Sequence, residues 1–166
     1  MIESQLQALN VVHDADLKGK RVITTIAIRK GELVAHISGH REVSAPSRFT
    51  VQAGVDRHID GLAQLTFMNH SCAPNVFLNT SNLTLTALRD LAVGDEVTFF
   101  YPSSEWRMAE PFACLCGAAE CIRYIAGADA MPEDVLARYD INEHIRELRQ
   151  QRETVRSRAA DYTAST

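Results

Sequence analysis

The placement of four cysteines constrains this chain more than any other feature. Three fall in Cys114-Leu115-Cys116-Gly117-Ala118-Ala119-Glu120-Cys121, and the fourth stands in Asn69-His70-Ser71-Cys72. Structural zinc takes four soft ligands in a tetrahedron, and thiolates separated by one and four residues can wrap one side of an ion that a distant thiolate closes. A set of Cys72, Cys114, Cys116 and Cys121 would tie the tail of the chain to its middle. Two other readings stand beside this one: two disulfides, or unliganded thiols packed as small hydrophobes. The disulfide reading meets two objections. The start of the chain lacks the basic, apolar and small-residue pattern of a secretory signal, and cysteines one residue apart satisfy disulfide geometry poorly. A reducing compartment is therefore expected, cytoplasmic or, in a eukaryotic cell, nuclear.

A chain of 166 residues is most simply one domain with a core that needs no metal to fold, so zinc would be a local clasp. The net charge of -4 offers no basic excess for a nucleic-acid backbone, and no apolar run approaches bilayer length. The charge is compatible with a basic peptide substrate, and neither nucleic acid nor membrane is expected to be bound directly.

Short β-branched runs broken by turn residues predict strands over Arg21–Ile28, Lys30–Gly39, Arg48–Gln52, Arg57–Asp60, Val76–Leu78, Leu83–Leu88 and Glu96–Tyr101. Leu83, Leu85 and Ala87 alternate with Thr84 and Thr86, the pattern of a half-buried strand. Asn79–Asn82 reads as a hairpin turn, and Asn75 after Pro74 as a turn former. Pro132-Glu133-Asp134 reads as a helix start, followed by Ile141, Ile145, Leu148 and Val155 at roughly helical spacing. One or two helices are expected from about Pro132 to about Ala159, with Tyr162–Thr166 frayed. They pack on their own domain or serve as a homodimer contact. His13, His36, His40, His58 and His144 show no ligand spacing.

Phe67-Met68-Asn69-His70-Ser71-Cys72-Ala73-Pro74-Asn75, then Gly94-Asp95-Glu96-Val97-Thr98-Phe99-Phe100-Tyr101, then Cys114 to Cys121, resembles the SET-domain family of protein lysine methyltransferases. Lys30-Gly31-Glu32-Leu33-Val34 is similar to an early strand of such domains. The likeness covers roughly Val11 to Ile125. It implies a mainly β fold, β-clip-like, of small curved sheets, with a pseudoknot, a zinc-bound post-SET segment and C-terminal helices outside it. The expected division is 1–110 SET domain, 111–126 post-SET zinc-binding segment and 127–166 helical extension.

By the same resemblance the chain is a methyltransferase that uses S-adenosylmethionine and a structural zinc to methylate a lysine or similar amine on a protein. A non-catalytic module of this fold, or an enzyme of this fold acting on a small molecule, are the alternatives. Tyr101 matches the tyrosine that lines the meeting point of amine and methyl group. Gly19, Lys20, Arg21, Asn69, His70 and Leu115 match cofactor-binding positions, and Cys72, Cys114, Cys116 and Cys121 match the zinc ligands. Phe99 and Trp106 read first as packing residues and second as walls of the substrate channel. Arg21 stands where the family has a glycine, so its side chain is expected either to crowd the cofactor or to contact its carboxylate. Ile37-Ser38-Gly39-His40 stands where the family has Tyr-x-Gly-Glu, so Ile37 replaces an active-site tyrosine. The segment between Gly39 and Asn69 is short, which predicts an open substrate face walled, if at all, by the C-terminal helices.

Overall fold

The computed structural model describes residues 8–14 and 19–164. Its strands are β1 (Leu9–Asp14), β2 (Gly19–Thr24), β3 (Leu33–His36), β4 (Arg41–Val43), β5 (Val51–Gln52), β6 (His58–Asp60), β7 (Asn69–His70), β8 (Val76–Asn79), β9 (Thr84–Ala87), β10 (Thr98–Phe99), β11 (Phe112–Ala113) and β12 (Tyr124–Ile125). Two helices follow, α1 (Glu133–Leu136) and α2 (Glu143–Ala164). The strands form five small sheets, ordered β1-β2, β3-β9-β8, β4-β6-β5, β7-β10 and β11-β12. All pairings are antiparallel except β7 with β10.

Alternation decides which faces meet. Val76 and Leu78 of β8 point inward with Leu85 and Ala87 of β9, while Phe77, Asn79, Thr84 and Thr86 stay half-buried. Val22, Val34, Ile59 and Val97 join them in a first apolar core. Leu83, expected at the head of that strand, instead ends the turn at φ 55, off the ladder. The expected strand Arg48–Gln52 shrinks to Val51–Gln52. Thr50 Oγ1 accepts the Ser47 N–H at 2.9 Å and donates back to the Ser47 carbonyl at 3.0 Å, a local turn that competes with strand pairing.

A second core gathers Cys72, Phe100, Cys114, Ile125, Met131, Leu136 and Ile145. Tyr101 packs against both cores. The β11–β12 ladder, which sequence patterning did not indicate, closes the cysteine segment by pairing Phe112 with Ile125.

Pro132 stands just before α1, with Glu133 and Asp134 in its first turn, as expected. Helix α2 buries His144, Ile145 and Arg149. Val155 is 67% exposed, contrary to its expected place on the inner face. The helix also continues through Tyr162, where fraying was expected, to Ala164; Ser165 and Thr166 lie outside the described residues. Asn142 joins the helical part to the β core. Its Nδ2 donates to the carbonyls of Leu78 (2.9 Å) and Ser103 (3.0 Å), and its Oδ1 accepts the Thr80 N–H (2.8 Å).

Residues 126–129 run beside 105–108, with the Ala128 N–H donating to Glu105 O at 2.8 Å and the Asp129 N–H to Trp106 O at 2.9 Å. Gly127 has φ 112, and a Cβ there would overlap the carbonyl of Trp106 and the Cα of Arg107. Gly127→Ala is therefore expected to cost about 3 kcal/mol, from backbone strain plus overpacking. Urea unfolding checks this; a midpoint unchanged from the wild type would count against the close approach.

Candidate active site

The site is built on a crossing of two segments. Strand β7 runs parallel to β10, with Asn69 opposite Thr98 and His70 opposite Phe99. Asn75, read from sequence as a turn former, is instead a buried tether. Its Nδ2 donates to the Glu96 carbonyl at 2.7 Å and its Oδ1 accepts the Thr98 N–H at 2.9 Å. Residues 69–75 are thus held against 96–99 from inside.

His70 links this crossing to the cysteines. Its Nδ1 accepts the Tyr101 N–H at 3.1 Å, which puts the ring proton on Nε2, 3.3 Å from Cys72 Sγ. Burial pushes its pKa down to about 4, so the ring stays neutral. Both ring nitrogens are engaged within the protein, and His70 acts as a spacer between Tyr101 and Cys72.

The Tyr101 hydroxyl donates to the Met68 carbonyl at 2.8 Å, and its ring lies 4.7 Å from that of Phe99. Burial, reinforced by the charge of Glu105, pushes the phenol up to about 12. It therefore remains protonated at neutral pH, and its oxygen can accept a hydrogen bond but cannot serve as a base.

Three cavities meet at Tyr101. One of about 380 Å³ is lined by Gly19, Lys20, Phe67 and Asn69. One of about 630 Å³ is lined by Asn69, His70, Phe112 and Leu115. A small one of about 70 Å³ is lined by Val51, Leu65, Met68, Phe99 and Glu105. Gly19, Lys20, Asn69, His70 and Leu115 are thereby brought to the two larger cavities. Arg21 is not among their lining residues; its guanidinium faces Glu96 at 4.0 Å. It neither crowds these cavities nor reaches into them. Lys20 Nζ, 4.3 Å from the Phe67 ring centroid, supplies the cation there instead.

Phe99 lines the small cavity, and Trp106 does not. The Trp106 ring lies 5.3 Å from the Arg152 guanidinium of α2, and its backbone N–H donates to Gln52 Oε1 at 2.8 Å. The C-terminal helices likewise do not wall the small cavity, contrary to expectation; Ser47–Val51 and Met108–Glu110 do. Gln52, Glu105 and His144 were missed from sequence because an isolated polar residue in an irregular stretch has neither periodicity nor ligand spacing. Gln52 and Glu105 are nonetheless buried together.

The four cysteine sulfurs lie within 4.8 Å of one another, unbridged, with Cys72 and Cys114 Sγ 3.9 Å apart. A tetrahedral zinc with Zn–S near 2.3 Å sets S–S edges of about 3.8 Å, so the set fits that ion. Backbone N–H groups of Cys72 and Ile122 point at Cys116 Sγ (3.5 Å) and Cys72 Sγ (3.4 Å), the outer contacts that thiolates accept. Tyr139 secures the same segment, donating its hydroxyl to the Cys72 carbonyl at 2.8 Å and stacking on Phe100 at 3.7 Å.

Among known proteins, the SET domain family model matches residues 19–102. Methyltransferase flvH of Aspergillus flavus is 35% identical over 147 residues, 87% of this chain and 83% of that protein. The H3 lysine-9 specific histone-lysine N-methyltransferase dim-5 of Neurospora crassa is 26% identical over 69% of this chain but 41% of its own length. An H3 lysine-36 specific enzyme of Candida albicans is 33% identical over 37% of this chain and 8% of its own. The chain thus spans most of the first and less than half of each histone enzyme. A crystal structure of KRYPTONITE in complex with mCHH DNA, an H3(1-15) peptide and SAH superimposes with a TM-score of 0.54 at 23% identity. It covers 70% of this chain and 29% of that one, a likeness of fold. No helix among the described residues is long and apolar enough to cross a membrane.

Proposed function

The chain belongs to the SET-domain family, and from that premise we propose that it is a zinc-braced methyltransferase transferring a methyl group from S-adenosylmethionine to a lysine or similar amine of a protein. The observation that carries the reading is the convergence of three cavities on Tyr101. The two larger ones join at Asn69 and suit a molecule with an acidic and an aromatic end. Lys20 offers a cation at one end, and Phe112 and Leu115 offer apolar faces at the other. S-adenosylmethionine, when bound, supplies an activated methyl group. Once the amine has lost its proton to solvent and has a free lone pair, Tyr101 would orient it by accepting a hydrogen bond from one of its N–H groups, Phe99 and Met68 would exclude water around it, and His70 fixes the backbone of Tyr101. Cys72, Cys114, Cys116 and Cys121 hold a structural zinc, with no open position for catalysis.

The proposed division is 1–110 SET domain, 111–126 zinc segment and 127–166 helical extension. The exposed far half of α2 is the proposed homodimer contact, which sedimentation at micromolar concentration tests. The reading as a non-catalytic module keeps one of its two supports, the replaced tyrosine, while Arg21 lies outside the cavity linings. The reading as a small-molecule enzyme draws support from the small volume beside Tyr101, about 70 Å³.

Calorimetry with zinc-loaded protein tests the proposal. Saturable binding of S-adenosylmethionine is expected, and its absence would end the enzyme reading. With methyl-labelled cofactor and a cell extract, label in the protein fraction favours the first reading, and label confined to small molecules favours the second.

A further inference from the structure

The small cavity beside Tyr101 contains a carboxylate that the fold has buried without an ion pair. Glu105 lines it with Phe99, Leu65 and Met68. An ionised carboxylate in apolar surroundings is costly unless a cation or several hydrogen bonds compensate it. Oε1 accepts the Gln52 N–H at 2.8 Å and the Ser104 hydroxyl at 3.4 Å. Oε2 has no hydrogen-bond partner among the described residues, and Arg48, which shares the cavity lining, forms no ion pair with the group. Burial pushes its pKa up to about 7. The position is built rather than incidental. Gln52 Oε1 accepts the Trp106 N–H at 2.8 Å, and His144 Nε2 donates to the Ser104 carbonyl at 2.8 Å, so β5 and α2 grip the segment from two sides.

We propose that Glu105 receives the positively charged amine of the methyl acceptor, so that this channel selects alkylammonium groups over neutral alcohols and amides of the same shape. The inference rests on the methyltransferase reading and gives it a specificity residue. An ammonium entering past Phe49 meets one carboxylate oxygen with no partner and the Tyr101 oxygen, whose own proton is committed to Met68. The charge would be paired where water is scarce, which favours a charged ligand over its neutral isostere.

The test uses the zinc-loaded full chain saturated with S-adenosylhomocysteine. n-Butylammonium mimics a lysine side chain and n-butanol is its neutral counterpart, both followed through the amide resonances of Gln52 and Glu105. At pH 8, butylammonium is expected to bind at least tenfold more tightly than butanol. Charged and titratable groups facing Glu105 are Tyr101, Arg48 and Glu110 around the cavity, His144 behind Ser104, and His58 across from Gln52. Burial holds both histidines below their usual range, so protonation of Glu105 dominates between pH 8 and pH 6. Butylammonium affinity should fall about tenfold over that interval as the carboxyl gains its proton. Glu105→Gln keeps an acceptor for the Gln52 N–H and should lose both the preference and its pH dependence.

Equal affinity for the two probes in the wild type, no saturable binding of butylammonium, or an undiminished preference in Glu105→Gln each overturns the inference. The wild-type comparison decides even where the variant does not fold. S-adenosylhomocysteine binding is measured first. Its absence ends the methyltransferase reading, whereas its presence without an ammonium preference ends only the role of Glu105.

Discussion

Stripping the metal with a chelator, or replacing Cys116 by serine, is expected to weaken S-adenosylmethionine binding at least a hundredfold while leaving most of the β structure intact. The two cores make the separation possible. Val22, Val34, Ile59, Leu85 and Val97 pack together without any cysteine, so their sheets have no need of the ion. Cys72 and Cys114 belong to the second core, and Cys114, Leu115 and Cys116 form one wall of the largest of the three cavities at Tyr101. Without a metal the four thiols keep only apolar packing and weak N–H contacts, and the β11–β12 ladder joins only two residues of each strand. Leu115, 92% exposed at the cavity rim, is placed only by the cysteines on either side of it. Far-UV circular dichroism should change little as calorimetric affinity collapses. Chelated protein that binds the cofactor as well as before would disconnect zinc from the site.

Tyr101→Phe should lower methyl transfer on the order of a hundredfold to a thousandfold with cofactor affinity changed by no more than a few-fold. The range is that for losing one preorganised polar contact at the reacting centre. The phenol oxygen is the only part of the residue removed, and the Tyr101 N–H still reaches His70. The Met68 carbonyl loses its donor, a stability cost of about 1–2 kcal/mol. Labelled methyl transfer into extract, compared at matched cofactor saturation, reads the effect. Because the phenol is pushed up to about 12, the wild-type rate should show no rise from tyrosinate formation below pH 10. Transfer by Tyr101→Phe at the wild-type rate would place the chemistry elsewhere.

What sequence could reveal followed from local rules. The thiol spacing of Cys114, Cys116 and Cys121 with the distant Cys72 anticipated the sulfur cluster, since ligand chemistry leaves a mark on spacing. The alternation through Leu85 and Ala87 anticipated their inward faces, because side chains in a strand alternate. Trp106 packs against the second core, its first reading, and does not line the small cavity, because the turn Tyr101–Ser103 sends it beneath Arg152 despite its proximity to Tyr101 in the chain. Val155 kept a helical spacing, yet among the described residues nothing on α2's outer stretch buries it. Glu105 and Gln52, 53 positions apart, meet only through tertiary structure, and no pattern within either segment announces the other.

Asn142 has a consequence for the order in which the protein is made. The residues that line all three cavities lie between His13 and Cys116, and they leave the ribosome before the residue that clamps Leu78 to Ser103. The β core can form on the emerging chain, since its contacts are already available. The loop that carries Glu105 gains its final support from Asn142 and His144 only when that later stretch clears the tunnel. A chain synthesised as far as Cys116 therefore carries the cavity-lining residues with an unfinished channel, which is completed only when Asn142 and His144 are in place.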